Sequence, residues 1–451
     1  MLPEKSGAQI AASFGWLAGG WLLMLALSRL TTRWPRRWAL VGLMLAPLCF
    51  VRGLSGLEHY GPEKHPAALA SEINTSYFQM AAQIDDVRAF LRHYPERMSR
   101  FPMHGATHPA GWPLKFHQAI VIGRSAAGTA VAAATAFALG AEPAAARALA
   151  ADVARRPLTD PETAGLWIVV LSVLLALMAL PAAVYFAARA HEAPRIAFRA
   201  AGLAAALSAP LLFFPDVDVL HPTLAVVAAG CWLRSERPGK ARWAFLAGIF
   251  IAQLAALSFG NLVVIPILAL QSVLSWKRRQ TGAWFEVRRF GALLLPLVLL
   301  WIGAAAVGHD LGAVFAAALG HHRDTLARRT GWLWTLLNPL EFLMLMGIPI
   351  TAWLLRATPW WHHPQAAKKL RMDPEAALFG ATLLVMLALD FSGGTKGEAG
   401  RLWMLFMPLL VAGAAALWRD RRRVEWACVT GMALAFAAVL KGFYAFVWLY
   451  S

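Results

Sequence analysis

The stretch that decides the fold runs from Ala164 to Arg189 and reads AGLWIVVLSVLLALMALPAAVYFAAR. Only its last residue is charged, and a helix needs about 20 such residues to cross the hydrocarbon core of a bilayer. Apolar runs of the same character occur at 11–28, 38–57, 199–214, 217–233, 243–258, 261–275, 290–308, 339–355, 376–391, 402–418 and 427–447. The sequence therefore predicts an all-α polytopic membrane protein with about 12 transmembrane helices, several of them short, tilted or broken.

The composition excludes a soluble globular enzyme and a disordered chain. Apolar residues make up 59% of the 451 residues and charged residues 15%, against about 25% charged residues in soluble domains. The net charge is +17, and many of the basic residues lie in short loops at 29–37, 189–199, 234–242, 276–289, 356–375 and 419–423. Since basic loops mark the cytoplasmic side, the charge indicates topology and contact with the anionic lipid bilayer, and we expect no nucleic-acid partner.

These orientations divide the chain into three parts. Residues 1–57 form N-terminal transmembrane helices, and 58–163 form a large first extracytoplasmic loop with amphipathic helices. Residues 164–451 form a transmembrane bundle whose outer loops include 309–338 and 390–401. The run 118–140 is ambiguous, and the basic loops share one side if it does not cross alone. We expect a multi-pass protein of a bacterial plasma membrane whose site faces the exterior.

The first candidate motif is HGATHPAGWP, from His104 to Pro113. Its two prolines and two glycines predict a non-helical loop beside an apolar run. Such a loop cannot face lipid, so it lines a cavity or packs on protein. His104 and His108 are its chemically active side chains, although the motif can also be explained as a rigid turn that caps the next helix.

The second motif is DFSGGTKGEAGRLW, which joins two apolar runs from Asp390 to Trp403. Lys396 and Arg401 are strong phosphate partners, and the glycines let backbone N–H groups approach an anion. A cation at a helix start opposes the helix dipole, so helix stability explains Arg401 poorly. The alternative is an interfacial arginine paired with Glu398 or Asp390.

Carboxylates supply two further candidates. Asp216 and Asp218 lie in the turn PDVDVLHP at 215–222, where oxygen ligands two residues apart suit Mg²⁺ or Mn²⁺. Turns also favour aspartate for local reasons. Glu58 directly follows an apolar run and Glu72 comes soon after it, so either carboxylate could be a general base at the membrane surface.

In order and predicted side, these segments resemble the GT-C class of integral-membrane glycosyltransferases, which includes protein O-mannosyltransferases, aminoarabinose transferases and bacterial relatives. Thr107-His108-Pro109-Ala110-Gly111 resembles the THPPG motif of that class except at Ala110. Residues 164–233 resemble the spans that follow it. The segment from Gly397 to Trp403, GEAGRLW, resembles the G-E-x-x-R motif of bacterial members. The resemblance covers roughly residues 50–420.

The resemblance implies a GT-C fold and an inverting transferase that moves a sugar from a polyprenyl-phosphate donor to a cell-envelope acceptor, a glycan, lipid or protein. It implies phosphate binding by Lys396 and Arg401 and a base at Glu58 or Glu72. His104 and His108 would orient that base or touch the phosphate. The remaining carboxylates, which would orient the site or hold a metal, are Asp216, Asp218 and Glu398. Members of the class often carry an Asp-Glu pair after the first span, and this sequence has none there. Whether Mg²⁺, Mn²⁺ or no cofactor is needed stays open.

Two alternatives belong to other classes. An O-antigen-type ligase or polymerase of lipid-linked glycans also has many spans and one large outer loop, but the segment 107–111 argues against it. A transporter or lipid flippase would carry ionisable residues at the centres of its spans. Arg52 is the residue that favours this second alternative.

Overall fold

The computed structural model describes residues 5–30, 36–101, 103–237, 239–279, 282–327, 329–357, 373–419, 421–444, 446–447 and 449. Over these ranges the regular secondary structure is helical throughout. Most of the predicted basic loop 356–375 lies outside the described residues, as do parts of the loops 29–37, 276–289 and 419–423. The predicted all-α architecture is confirmed.

The helices follow the apolar runs closely and add short helices between them. In chain order the α-helices are α1 Gly7–Leu30, α2 Arg36–Leu57, α3 Lys64–Ala70, α4 Tyr77–Ala82, α5 Val87–Arg92, α6 Tyr94–Arg97, α7 Met103–Thr107, α8 Gly111–Gly123, α9 Ala126–Leu139, α10 Pro143–Val153, α11 Asp160–Ala188, α12 Pro194–Ala205, α13 Ser208–Leu212, α14 Leu220–Arg234, α15 Ala241–Leu257, α16 Val264–Arg279, α17 Ala283–Ala306, α18 Leu311–Ala327, α19 Gly331–Ala357, α20 Pro374–Phe391, α21 Ala399–Leu402, α22 Phe406–Gly413 and α23 Arg423–Phe443. Short 3-10 helices lie at Gly61–Glu63, Met98–Arg100, Val217–Val219, Phe259–Val263 and Ala415–Trp418.

Fewer helices than predicted are long enough to cross a membrane. Within the described residues, eight qualify by length and composition, namely α1, α2, α11, α16 with the turn before it, α17, α19, α20 and α23. The bent pair of α8 and α9 would make a ninth. The predicted runs 199–214 and 402–418 are each divided between short helices, and α14 and α15 stop at 15 and 17 residues. The chain is thus a multi-pass membrane protein, and its apolar runs overstate the number of full-length spans.

Helix α14 shows why an apolar run need not be a long span. None of its residues is exposed, because it packs against α11, α15 and α22. Its apolar character on every side is therefore explained by burial inside the protein. The same enclosure places the turn before it, at 215–222, deep between neighbouring helices.

Helix α11 is the central support of the bundle, since it contacts α2, α8, α9, α12, α14 and α22. Its start is fixed by a capping box in which Thr159 and Glu162 exchange hydrogen bonds, with Pro161 in the first turn. Such a cap satisfies backbone donors that have no partner inside the helix and contributes about 1 kcal/mol. Apart from Arg189, which caps the carboxyl end, the deciding stretch 164–189 lies in one continuous helix.

The ambiguous run 118–140 forms a helix pair, α8 and α9, bent by 107°. Arg52 donates to the carbonyl of Ala138 at 2.9 Å and stacks over the ring of Trp16 at 4.5 Å. Glu142 donates its N–H to Glu63 at 2.9 Å. The carboxyl end of α9 therefore lies beside the carboxyl end of α2, after which the outer segment 58–163 begins. Arg52 has a structural task here, which removes the feature that favoured a transporter.

Candidate functional site

A polar cavity of about 380 Å³ lies where five separate parts of the chain meet. They are the outer segment 58–163, the turn 215–222, helix α18 in the loop 309–338, the connector 390–401, and the turn 258–263 between α15 and α16. The first four were predicted to lie on one side of the membrane. The titratable residues in its lining are His104, His108, Asp218, His221, His322, Arg329, Lys396, Glu398 and Arg401.

The histidine motif is more helical than predicted. Met103–Thr107 forms the short helix α7 and Gly111 begins α8, so only residues 108–110 form the expected non-helical loop. Pro109 explains the break, because it disfavours helical backbone at His108. His108 Nδ1 lies 3.0 Å from the carbonyl of His104, and Tyr94 donates its hydroxyl to the His108 carbonyl at 3.0 Å.

Both histidines of this motif are half-buried at the wall of the cavity. Burial and the nearby Arg401 lower the pKa of His104 to about 4, and burial lowers the pKa of His108. Both rings are therefore neutral near pH 7. Tyr77 supports the motif, because it meets the His108 ring edge-on at 6.0 Å and stacks on Trp112 at 6.4 Å between centroids.

Arg401 is surrounded by carboxylates. Its Nη2 lies 2.6 Å from Glu398, its Nη1 lies 3.5 Å from Asp216, and its Nε lies 3.6 Å from Asp218. Burial opposes its charge, but the carboxylates raise the pKa of Arg401. The alternative prediction, in which Arg401 pairs with Glu398, is thus confirmed as far as the contact is concerned. With three acidic neighbours, Arg401 has little charge left for an added phosphate.

The two aspartates respond differently to this arrangement. Burial and the Asp218 charge raise the pKa of Asp216 to about 7. Burial also opposes the charge of Asp218, but Arg401 and His221 lower its pKa. Asp218 is therefore the carboxylate of the pair that stays ionised at neutral pH.

The predicted metal site at Asp216 and Asp218 does not fit this geometry. Both carboxylates face the Arg401 guanidinium, whose positive charge opposes a divalent cation between them. Within the described residues, no three histidine, cysteine, aspartate or glutamate side chains are grouped as a metal site needs. The two aspartates therefore hold an arginine and do not form the ligand set of a metal site.

Lys396 adds a further positive charge to the lining of the cavity. Its Nζ donates to the carbonyls of Leu326 and Arg329 at 3.0 and 3.3 Å, near the carboxyl end of α18. Arg329 pairs with Glu398 at 3.2 Å and donates to the Lys396 carbonyl. Among the described residues no carboxylate forms an ion pair with Lys396, so its charge remains available to an anion.

The connector is held in place by two side chains of α19 that the sequence analysis did not select. Asn338 accepts the N–H of Gly397 at 3.1 Å and donates to Asp390 and to the Thr395 carbonyl. Glu341 accepts the N–H groups of Ala399 and Gly400, both at 3.1 Å.

These bonds correct the expectation that the connector's backbone binds phosphate. Three of its N–H groups, at 397, 399 and 400, are already occupied by Asn338 and Glu341. A signal was present in the sequence, since the two polar residues stand three positions apart in an apolar stretch. That spacing places them on one face of a helix.

The two candidate bases lie elsewhere. Glu58 is 5% exposed and pairs with Lys64 at 3.1 Å and Lys441 at 2.9 Å. Burial favours its neutral form, but the two lysines lower the pKa of Glu58. Glu72 is exposed between α3 and α4. Neither glutamate is among the described residues that line the cavity, so the geometry gives the role of base no support at either position.

An apolar cavity of about 510 Å³ adjoins the polar one. Phe259 and Phe315, whose ring centroids lie 5.2 Å apart, line both cavities. The second cavity is lined by the start of α8, the end of α15, the second half of α17 and the start of α18. Helix α17 also exposes Leu299, Trp301 and Ile302, as expected for a helix that faces lipid. A polar space and an apolar space thus meet at one aromatic pair, close to the lipid-facing surface.

The arrangement can place an anion at Lys396 and a proton acceptor near Asp218, with an apolar group against Phe259. These requirements fit a charged amphiphile better than a small polar solute. No protein-family model matches the chain, and no curated protein sequence matches it either.

Proposed function

We propose that this protein is a membrane glycosyltransferase of GT-C fold that moves a sugar from a polyprenyl-phosphate donor to a cell-envelope acceptor. The observation that carries the proposal is the junction of the two cavities at Phe259 and Phe315. A lipid-linked sugar needs a site for its phosphate, a polar space for its sugar and an apolar space for its tail. All three are adjacent here.

The donor phosphate is assigned first to Lys396. Among the described residues its ammonium contacts carbonyl oxygens and no carboxylate. Arg329 lies beside it, but its charge is shared with Glu398. A phosphate that leaves the anomeric carbon gains negative charge, and a preorganised cation stabilises that charge. Arg401 was the equal partner in the sequence-based prediction. Its three carboxylate neighbours give it the task of orienting Asp218 instead.

The sugar would lie between these ends, beside His104 and His108. Their neutral rings offer hydrogen bonds without adding charge. Glu398 bridges the two cationic groups Arg329 and Arg401, which fixes the distance between the ends of the cavity.

The reaction would be a single displacement with inversion. The oxygen of the acceptor hydroxyl attacks the anomeric carbon, and the carbon–oxygen bond to the phosphate breaks. The bonding electron pair leaves with the phosphate oxygen. The hydroxyl proton moves to the Asp218 end of the cavity, which takes the role first predicted for Glu58 or Glu72.

The apolar cavity would hold the first isoprene units of the donor. Burying a hydrocarbon segment there contributes about 0.8 kcal/mol per CH₂ group. The lipid-facing surface of α17 offers a route for the rest of the tail into the bilayer.

Native mass spectrometry in mild detergent tests this proposal. The purified protein is mixed with polyprenyl-phosphate sugars and with lipid-linked oligosaccharides. We expect an adduct with a polyprenyl-phosphate monosaccharide that is weakened in Lys396→Ala. The matched control is Lys240→Ala, which removes the same charge from an exposed loop and should keep the adduct. Binding of the oligosaccharide alone would favour the ligase, and binding of neither lipid would refute the proposal.

A further inference from the structure

A buried histidine that no predicted role included lines the polar cavity. His221 stands in the first turn of α14 and is 5% exposed. Its Nε2 is buried, and no group of the described residues forms a hydrogen bond with it. Native proteins rarely leave such an atom unpaired, so this nitrogen calls for a ligand or a water that enters the cavity.

The other ring nitrogen faces a carboxylate. His221 Nδ1 lies 3.5 Å from Oδ1 of Asp218, while Oδ2 of Asp218 lies 3.6 Å from Nε of Arg401. Asp218 therefore divides its two oxygens between the imidazole and the guanidinium. In a general-base histidine, a carboxylate near one ring nitrogen orients the imidazole, and the other ring nitrogen accepts the proton. Asp218 and His221 have this arrangement.

The other histidines of the cavity lack this combination. His322 Nε2 lies 3.0 Å from the carbonyl of Gly394, and His108 Nδ1 lies 3.0 Å from the carbonyl of His104. Among the cavity histidines that the structure describes, His221 alone has a carboxylate within ion-pair distance. The contact with Asp218 thus distinguishes His221 from the other histidines of the cavity.

We infer that His221 is the catalytic base, which takes the acceptor's proton on Nε2 while Asp218 orients the ring through Nδ1. The inference rests on the proposed function. As the acceptor oxygen bonds to the anomeric carbon, its O–H electron pair supplies the new bond and its proton passes to Nε2. The phosphate leaves with the electron pair of the broken bond. Asp218 stabilises the imidazolium until the proton returns to water.

The surroundings of His221 keep its imidazole in the neutral form. Burial lowers the pKa of His221 to about 4, with Asp218 raising it and His108 and Lys115 lowering it. The ring is therefore neutral at pH 7, which is the form that accepts a proton. The Trp112 ring lies 6.1 Å away and covers one side of the imidazole. These groups come from the turn 215–222, the residue after α7, and α8.

The test compares His221→Gln with wild type in sugar transfer and in donor binding. Glutamine keeps polarity and approximate size but cannot act as the base. We expect kcat to fall about 100-fold or more, as for the loss of a general base, while donor binding by native mass spectrometry is unchanged. The control is His59→Gln, an exposed position outside the cavity. Wild type should lose kcat toward low pH, and His221→Gln should lack that dependence.

Each other outcome is decisive. If His221→Gln keeps kcat within about threefold, a margin below the range for general-base loss, the inference fails while the observed transfer upholds the proposed function. An equal loss of donor binding would make His221 a binding residue and also overturn the inference. Should the variant fail to fold, Asp218→Asn replaces it, with the same expected loss of kcat. Wild type that neither binds nor transfers would refute the proposed function, and the inference with it.

Discussion

Glu341 and Gly400 are joined by a hydrogen bond of 3.1 Å from the backbone N–H of Gly400 to the carboxylate of Glu341. The second oxygen of the same carboxylate accepts the N–H of Ala399, also at 3.1 Å. A negative charge thus lies at the amino end of helix α21, where it interacts favourably with the helix dipole. Arg401 stands in this short helix, so a side chain of α19 determines where its guanidinium meets Asp218.

Glu341→Gln should therefore lower activity without touching the cavity. A glutamine has one acceptor oxygen where two N–H groups need one each, and a donor left unpaired costs about 1–3 kcal/mol. We expect a lower thermal unfolding temperature and a lower kcat, because Arg401 loses its fixed position. Parallel thermal unfolding and transfer assays measure both.

The control for Glu341→Gln is Glu96→Gln. The Glu96 side chain is 76% exposed and forms an ion pair with His93. This change should leave both quantities as in wild type, because surface ion pairs contribute little. Unchanged kcat in Glu341→Gln would show that the connector is positioned by other contacts.

Glu58 is expected to be a structural residue. Its carboxylate forms ion pairs with the buried ammonium groups of both Lys64 and Lys441 and balances one of their two positive charges. Removing one partner of a buried ion pair costs about 3–5 kcal/mol. Glu58→Gln should thus lower the unfolding temperature strongly, and the protein that remains folded should keep its kcat. A stable Glu58→Gln variant without transfer would instead restore Glu58 as the base.

The same cluster predicts a dependence of stability on pH. Because the pKa of Glu58 is lower in the folded protein, its contribution is complete above the unfolded value of about 4.3. It is lost as the pH falls through the lower folded value. Thermal unfolding between pH 7 and pH 3 measures this loss. Glu58→Gln should show a smaller decrease over this range than wild type.

Much of the fold could be predicted because helices and membrane spans depend on local patterns. The run 164–189 became α11, and the segments 104–108, 216–218 and 396–401 came together around one cavity. Within the described residues, fewer helices reach the length of a span than predicted, since an apolar pattern does not distinguish a helix enclosed by protein, such as α14, from a helix that crosses lipid.

The parts that could not be predicted depend on distant partners. A glutamate after a span has the same sequence signature whether it faces a substrate or a lysine. The partner of Glu58 that decides the matter is Lys441, near the other end of the chain. The charge left on Lys396 and Arg401 likewise depends on contacts with α18 and the turn 215–222.

Gly111 should tolerate no side chain. A Cβ there would lie 2.0 Å from the carbonyl oxygen of Ala256, where α8 begins against the end of α15. Overpacking of this kind costs about 1–3 kcal/mol, so Gly111→Ala should be less stable and should displace His108. Gly291→Ala in α17 is the matched control, since a Cβ there meets nothing within 4 Å.

The two glycine variants should differ in their unfolding temperature, which Gly111→Ala should lower and Gly291→Ala should not. Alanine is favoured over glycine inside a helix by about 0.5–1 kcal/mol, so Gly291→Ala should unfold at the same temperature as wild type or higher. Equal stability of Gly111→Ala and wild type would mean that the start of α8 can move away from α15. In that case the position of the histidine motif would not depend on this contact.

The apolar cavity gives the sharpest test of the donor's tail. Ala304 lines this cavity from α17, and Ala305 next to it is exposed and outside the lining. Ala304→Trp should fill the space and raise KM for donors with a long isoprenoid tail. It should leave KM unchanged for a donor whose phosphate carries only a short alkyl chain. Ala305→Trp adds the same ring toward lipid and should behave as wild type with both donors. If Ala304→Trp raises KM equally for long and short donors, the cavity does not hold the tail.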